Sequence, residues 1–428
     1  MKNPGLDTIV VGAGIAGLTA ARALGEAGVR VTVLEARNRI GGRILTYHSG
    51  GQPIELGAEF VHGRPPELWA LIREAALETY ERDGSQLSFH NGSLQHRSEE
   101  ELAFHLLEDL EKLKGPDMSF NEYLASIDTT EAERASARGF VEGFNAADAN
   151  RISAASLGVQ QDAEDSIEGD RMFYVRGGYD RVVQHLAGKI VDYGGTIRLN
   201  SAVQAIRWNP ATVEVIDDQQ NFSASRAIIT VPLGVLQAGT LSIEPRPEDI
   251  FQAVSQLCMG HAIRFTLHFR EPFWNTFPSA SPASNLSFLF SFEETPPVWW
   301  TTNPHPSALL TGWIGGPRSA ALDELSSDEL ASRACSTLAR IFSLSVDKIQ
   351  ELLLGCYFHD WKRDPFSLGA YSYVAKDGLR GSRHLSEPVA ETLFFAGEHT
   401  DRTGNWGTVH AAMRSGLRAA QQVLSLRS

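Results

Sequence analysis

The 428-residue chain has only three cysteines, Cys258, Cys335 and Cys356, far apart and without a CxxC pair. That excludes a disulfide scaffold and a structural zinc site and suits a reducing compartment, so the expected location is cytoplasmic and no metal is expected. Long apolar runs are missing too: no stretch reaches the roughly 18 residues that a membrane span needs. The apolar run near the N-terminus is too short for a signal peptide and is already used as a strand, so no membrane partner is expected. Basic residues are in deficit, 38 Lys and Arg against 52 Asp and Glu, giving a net charge of −14. Without a basic run or basic–aromatic interleaving, nucleic acid is not an expected partner. An acidic chain can favour a cationic substrate, and equally it can simply be soluble.

What is present is an ordinary globular composition, 43% hydrophobic and 21% charged, in a chain long enough for two domains. The most informative stretch runs from Thr8 to Glu35. Thr8-Ile9-Val10-Val11 is a short apolar strand that enters Gly12, Ala13, Gly14, Ile15 and Gly17, and a helix-spaced run follows. A second apolar strand, Val29 to Leu34, ends in Glu35 and then Ala36. This is the dinucleotide-binding pattern: glycines for the tight turn, for approach of the pyrophosphate and for helix–strand packing, with an acid about 20 residues on for the ribose hydroxyls. The free N–H groups of the helix start favour phosphate. Glu35 argues against a 2′-phosphorylated cofactor, and the pattern alone does not separate NAD from FAD.

Arg37-Asn38-Arg39-Ile40-Gly41-Gly42-Arg43 follows. Two glycines among three arginines can bring backbone and guanidinium groups against the far half of a long cofactor. Gln52 to Gly63 reads as a strand and loop carrying Gly57, Ala58, Glu59, Phe60 and His62, and 67–78 reads as a helix. From about Tyr80 to Asp170 the pattern is mostly helical, with helices expected at 99–114, 120–127 and 131–144; so long a stretch is expected to cover a site. Residues 173–179 return to the first unit, and strands are expected at 195–206, 211–216 and 226–231. Val203 can offer backbone N–H and C=O to a base edge, or be a core valine. Gly239 to Pro247 reads as a linker. Beyond it, strands at 262–269, 286–292, 308–312 and 351–358 and a helix at 328–341 suggest a mixed sheet, and Trp299, Trp300 and Trp313 can line a pocket or fill a core. Near the end, a short strand leads to Gly397-Glu398, and Gly407-Thr408-Val409 opens a long amphipathic helix. The expected fold is therefore α/β: a Rossmann-like dinucleotide-binding domain from 1–79, 171–247 and 386–428, with a mixed-sheet and helical substrate domain from 80–170 and 248–385.

Four stretches together resemble one family: the glycine turn with its terminal Glu35, Gly41-Gly42-Arg43, Phe366 to Val374 (FSLGAYSYV), and Phe395 to Ala411 (FAGEHTDRTGNWGTVHA). The chain resembles the flavin-containing amine oxidases (monoamine oxidases, polyamine oxidases and histone lysine demethylases) and is nearest in look to bacterial polyamine oxidase-like members. The resemblance implies that the first of the two domains is a Rossmann-like FAD-binding domain of the glutathione reductase type, with FAD stretched across both domains. Gly12, Gly14 and Gly17 would hold the pyrophosphate, Glu35 the ribose, Arg43 the phosphate region and Val203 the adenine. Glu398 would lie near the pyrophosphate and ribityl chain, with Thr408 and Val409 at the flavin. It also implies oxidation of the carbon next to an amine, imine hydrolysis, and reoxidation by O2 to hydrogen peroxide. Tyr371 would flank the amine, with Tyr373 beside it or in the core, and His62 would bind or deprotonate the amine or serve as a structural histidine.

The chain departs from that pattern at several positions. Val409 stands where monoamine oxidases place a second flanking tyrosine. Arg264 stands where the family places a water-linked lysine, which puts reoxidation by O2 in doubt and admits a dehydrogenase with another acceptor or a plain interdomain ion pair. Ala370 replaces the cysteine that attaches flavin in monoamine oxidases, so non-covalent FAD is expected. Glu59 and Phe60 follow Gly57-Ala58 where amino acid oxidases carry a carboxylate-clamping arginine, which disfavours an L-amino acid substrate. The expectation is oxidative deamination of a polyamine or small amine by a monomer or homodimer. An L-amino acid oxidase, a flavin desaturase or isomerase, and a non-catalytic FAD-binding protein are the alternatives.

Overall fold

The computed structural model describes residues 7–49, 51–97, 105–108, 110, 113, 115–276 and 285–426. At its centre is a five-stranded parallel sheet in the order Thr196–Arg198, Val31–Leu34, Thr8–Val11, Arg226–Ile229, Leu393–Phe395. Thr8–Val11 is buried throughout, as a central strand covered on both faces must be. Strand alternation divides its neighbours between two cores. Val10, Ile228 and Phe394 face the helices Ile15–Glu26, Asp180–Asp192 and Val409–Ser425, whereas Ile9, Ile229 and Phe395 face a second apolar cluster. That cluster is closed by a four-stranded sheet in the order Asn221–Ala224, Thr212–Ile216, Ala205–Asn209, Ser242–Glu244. The first and last of these helices cross closely: a Cβ on Gly416 would lie 2.2 Å from the carbonyl oxygen of Ala16. The two ends of the chain are thereby packed into one layer.

A seven-stranded sheet forms the other half, in the order Leu353–Phe358, Ala262–Phe269, Leu309–Gly315, Val298–Thr301, Leu286–Phe290, Ser85–His90, Ser93–His96. Leu330, Ala334 and Leu338 of helix Ser327–Ile341 pack with Phe265, Leu267 and Leu310 of this sheet in a third core. Ser326 caps that helix with a reciprocal Ser–Glu329 box. A small sheet, Val61–His62 with Met172–Val175 and Thr79–Glu81, stands between the halves.

Three expectations about elements need correction. Residues 85–96 are a β-hairpin, not helix; Asn91 and Gly92, both at positive φ, make its two-residue turn, and burial of Leu87 and Phe89 fixes its register. Residues 195–206 are not one strand: the chain leaves the parallel sheet after Arg198 and joins the four-stranded sheet at Ala205. The expected linker 239–247 contains the strand Ser242–Glu244, paired in parallel with 205–207. Of the helix expected at 99–114, His105–Glu108 is α-helical and Leu110 is in a 3-10 turn, and much of the remainder lies outside the described residues.

Candidate active site

The carboxyl ends of the parallel strands run out at one edge, at Gly12, Glu35, Thr230 and Ala396, which is where an open α/β sheet binds ligands. Gly12 has φ +106°, and a Cβ on Gly17 would lie 2.0 Å from the Gly12 carbonyl, so the turn and the helix close on one another. Gly14 is the N-cap, without a side-chain cap bond, and nothing lies within 4 Å of where its Cβ would be. Ile15 begins the helix and Ala13 is buried beneath the turn. The next glycines press on the same spot: Gly41 N–H donates to the Ala13 carbonyl at 2.8 Å, and a Cβ on Gly42 would stand 3.2 Å from Gly14 Cα. At the tip of the second strand, Glu35 is buried and accepts from the N–H of Ala13 at 2.8 Å and of Arg37 at 2.9 Å. Ala36, between these two residues, is half-buried.

The arginines of the 37–43 loop are engaged by the protein itself. Arg37 donates to Asp364 at 2.6 Å and to Ser367 at 2.9 Å, and Arg39 donates to the carbonyl of Gly42 at 2.9 Å. Burial alone would raise the Asp364 carboxyl, but His359 and Arg37 hold it far below the usual range. Arg43 donates to Glu398 at 2.8 Å and to the Ala370 carbonyl at 2.9 Å. A Cβ on Gly57 would lie 2.0 Å from the Arg43 carbonyl, and Ala58 N–H donates to that same oxygen at 3.0 Å. In the loop that changes sheets, neither the N–H nor the C=O of Val203 has a partner among the described residues.

Glu398 is the joint of the site. Beyond Arg43 it accepts from the Ser372 hydroxyl at 2.6 Å and from Gly407 N–H at 3.1 Å. Burial would raise its carboxyl, but Arg43, His399 and Ser372 overcome that and hold it below the ordinary carboxylate value. Gly397, at φ +140°, donates its N–H to Ser415 at 2.8 Å. Thr408 caps the last helix by accepting from Ala411 N–H at 3.2 Å, and half-buried Val409 is its first residue. Gly407, at φ +78°, is forced to be glycine by Tyr371, whose ring carbon would be 2.9 Å from a Cβ there. Tyr373, by contrast, is buried in another core with Cys258.

The opposite side is aromatic. The Tyr371 hydroxyl donates to the Phe144 carbonyl at 2.6 Å, and its ring lies nearly parallel to Trp313, with centroids 6.4 Å apart. Phe60 packs with Trp300 at 5.8 Å and with His62 at 5.9 Å. Burial, reinforced by Arg82, pushes the His62 imidazole down to about 4, so it is neutral at physiological pH. Arg264 is buried and donates to Glu59 at 2.7 Å; the same Glu59 oxygen accepts from the Trp300 indole at 2.8 Å. Phe144 and Arg82 were not singled out in the sequence, although an apolar residue at the end of a polar helix, next to the turn of residues 145–151, was a usable signal for Phe144.

The chain matches the family described as "Flavin containing amine oxidoreductase" over residues 15–424. It belongs to that family. Among its relatives, polyamine oxidase 2 of Arabidopsis thaliana is 30% identical, covering 98% of this chain and 88% of that protein, and polyamine oxidase 3 of Oryza sativa subsp. japonica is 31% identical, covering 97% and 88%. In structure, a putrescine oxidase double mutant redesigned in its cofactor binding superimposes with a TM-score of 0.83 at 25% identity, covering 98% and 99% of the two chains. Cyclohexylamine oxidase from Brevibacterium oxydans has a TM-score of 0.83 at 22% identity, covering 99% and 100%, a likeness of fold.

This flavin-containing amine oxidoreductase carries a site that fits its cofactor on structural grounds. The open N-cap at Gly14 and the fixed carboxylate of Glu35 stand at the carboxyl edge of the parallel sheet, and the unpartnered backbone of Val203 lies in the loop that leaves that sheet after Arg198, a set of groups that suits a dinucleotide. Glu35 already accepts two N–H bonds, yet each oxygen keeps a lone pair for a hydroxyl donor. Among the described residues no group of side chains could hold a metal ion, and no helix is long and apolar enough to cross a membrane.

Proposed function

We propose that the chain oxidises a primary or secondary amine to an imine, which water hydrolyses, with FAD held non-covalently and O2 as the electron acceptor. The relatives named for polyamine and putrescine oxidation support the amine as substrate. Residues 1–79, 171–247 and 386–428 would bind FAD, and 80–170 with 248–385 would form the substrate domain. The observation that carries the reading is the Tyr371 ring packed on Gly407, at the start of a helix whose approach is tied to Arg43 through Glu398. The amine-facing aromatic and the cofactor-facing elements thus form one rigid unit.

Gly12, Ala13, Gly14, Ile15 and Gly17 would hold the pyrophosphate. Glu35, Ala36 and Arg37 would hold the ribose region, and Val203 the adenine. Gly42, Arg43, Gly57, Ala58, Gly397, Glu398, Gly407, Thr408 and Val409 would surround the remainder, with Glu59 and Phe60 behind it. A bound flavin supplies the two-electron acceptor for the C–H bond next to nitrogen. The protein supplies orientation and dryness: Tyr371 presents a flat face to the nitrogen, and the surrounding rings exclude water. Neutral His62 would hydrogen-bond the amine; its depressed value makes it too weak a base to strip an ammonium. Ala370 leaves no thiol for covalent attachment beside Tyr371.

Purified protein should be yellow, should bleach on anaerobic addition of a suitable amine, and should regain colour with stoichiometric peroxide when oxygen is admitted. Colourless protein that FAD does not reconstitute would remove the reading. One observation favours a second reading, an amine dehydrogenase: Arg264, paired with Glu59, stays protonated and cannot accept a proton where the family's lysine stands. Fast bleaching with slow recovery in air, and rapid recovery with an artificial acceptor, would decide for it.

A further inference from the structure

Six residues form a closed circuit. Tyr371 lies against Trp313 at 6.4 Å, Trp313 against Trp300 at 6.2 Å, and Trp300 against Phe60 at 5.8 Å. Phe60 meets His62 at 5.9 Å, His62 meets Phe144 at 6.3 Å, and the Tyr371 hydroxyl returns to the Phe144 carbonyl at 2.6 Å. Tyr371, Trp313, Phe60 and His62 are only half-buried, and Phe144 is 37% exposed, so the circuit rims an opening rather than filling a core. Its polar handles are already occupied: both indole N–H groups and the tyrosine hydroxyl donate to protein acceptors, at Glu59, Gly143 and Phe144. What is left facing inward is ring faces and one neutral imidazole.

Among the described residues, the charge recorded at these rings without an ion-pair partner is that of Arg82. Two carboxylates reach these rings among the described residues, and both are buried and paired: Glu59 with Arg264 and Glu398 with Arg43. Arg82 stands one ring behind the circuit, its guanidinium 4.1 Å from the centroid of Phe288, which packs on Phe60 and Trp300. Its positive charge reaches His62 and helps keep that ring neutral.

Resting on the amine-oxidase reading above, we infer that this opening selects monoamines with an apolar aryl or cycloalkyl body and rejects diamines and polyamines. A ring stacks on the aromatic faces as it leaves water. A second ammonium would lose its hydration against rings whose two neighbouring carboxylates are already paired, with a like charge nearby at Arg82.

The test is anaerobic stopped-flow reduction of the holoenzyme by benzylamine, cyclohexylamine, putrescine and spermidine near neutral pH. The two monoamines should reduce it with second-order rate constants ~10-fold or more above those of putrescine and spermidine. Equal or faster reduction by putrescine or spermidine overturns the inference and leaves the oxidase reading standing, whereas no reduction by any amine overturns both. Phe144→Ala, at an exposed helix end, should weaken apparent benzylamine binding by ~10-fold, and Arg82→Gln should narrow the ratio of monoamine to diamine rates. An unaltered benzylamine affinity in the first variant, or an unaltered ratio in the second, would equally count against the inference.

Discussion

Glu398 shows how much one buried carboxylate can decide. It joins Arg43 of the 37–43 loop, Ser372 of the segment carrying Tyr371, and Gly407 at the last helix. Removing its charge leaves the Arg43 guanidinium uncompensated, a defect of about 3–5 kcal/mol in buried pairs. Glu398→Gln should therefore lower the melting temperature at neutral pH. The sign with pH follows from its depressed value: the stabilisation is complete above the ordinary carboxylate value of 4.5 and is lost as pH falls through the lower folded value. The gap in melting temperature between wild type and variant should accordingly be widest near neutrality and close in acid, and a gap that persists in acid would refute an ionic role. Tyr371→Ala should slow anaerobic flavin reduction by amines by roughly 10- to 100-fold, because the amine loses its orienting face. Tyr371→Phe keeps the ring and should retain most of the rate.

At the scale of elements, two glycines in one turn serve different masters. Gly14 opens onto space at ordinary φ, whereas a Cβ on Gly17 would collide with backbone at 2.0 Å. Gly14→Ala should give protein whose cofactor-free form melts as wild type but which purifies with much less flavin. Gly17→Ala should lower the melting temperature of the cofactor-free form as well, because the helix must move off its strand. Equal loss of stability in the two would show that the turn is structural alone. The glycine turn was legible in the sequence because its spacing directly encodes a local geometry. The hairpin at 85–96 was equally local, with Asn91-Gly92 at its tip, but the helical patterning of its neighbours masked a short strand. The strand at 242–244 was harder to read: with three residues its strand character comes from pairing with 205–207, a partner some 40 residues away.

At the scale of the molecule, the halves are held together by ion pairs between distant parts of the chain, Arg37 with Asp364 and Arg264 with Glu59. A cofactor lying along that seam binds only the assembled form. Added FAD should therefore raise the melting temperature of cofactor-free protein in a concentration-dependent way, by the equivalent of about 2.7 kcal/mol at a hundred times its dissociation constant. Acid precipitation should leave the flavin in the supernatant, and yellow colour retained in the pellet would contradict non-covalent attachment. If Arg264 limits reoxidation, Arg264→Lys should speed it; no change would return Arg264 to clasping Glu59.

The residue order by itself determined the dinucleotide turn, the acid at Glu35 and the family, because each rests on spacing within a few residues or on a linear motif. Tertiary structure alone decided that the three arginines of the 37–43 loop are tied to protein acceptors, that Glu59 is neutralised by Arg264, and that six aromatic residues from five separate stretches close into one rim. Whether a charge is free or paired, and whether a ring is core or wall, depends on neighbours hundreds of residues away, and a linear pattern does not contain that information.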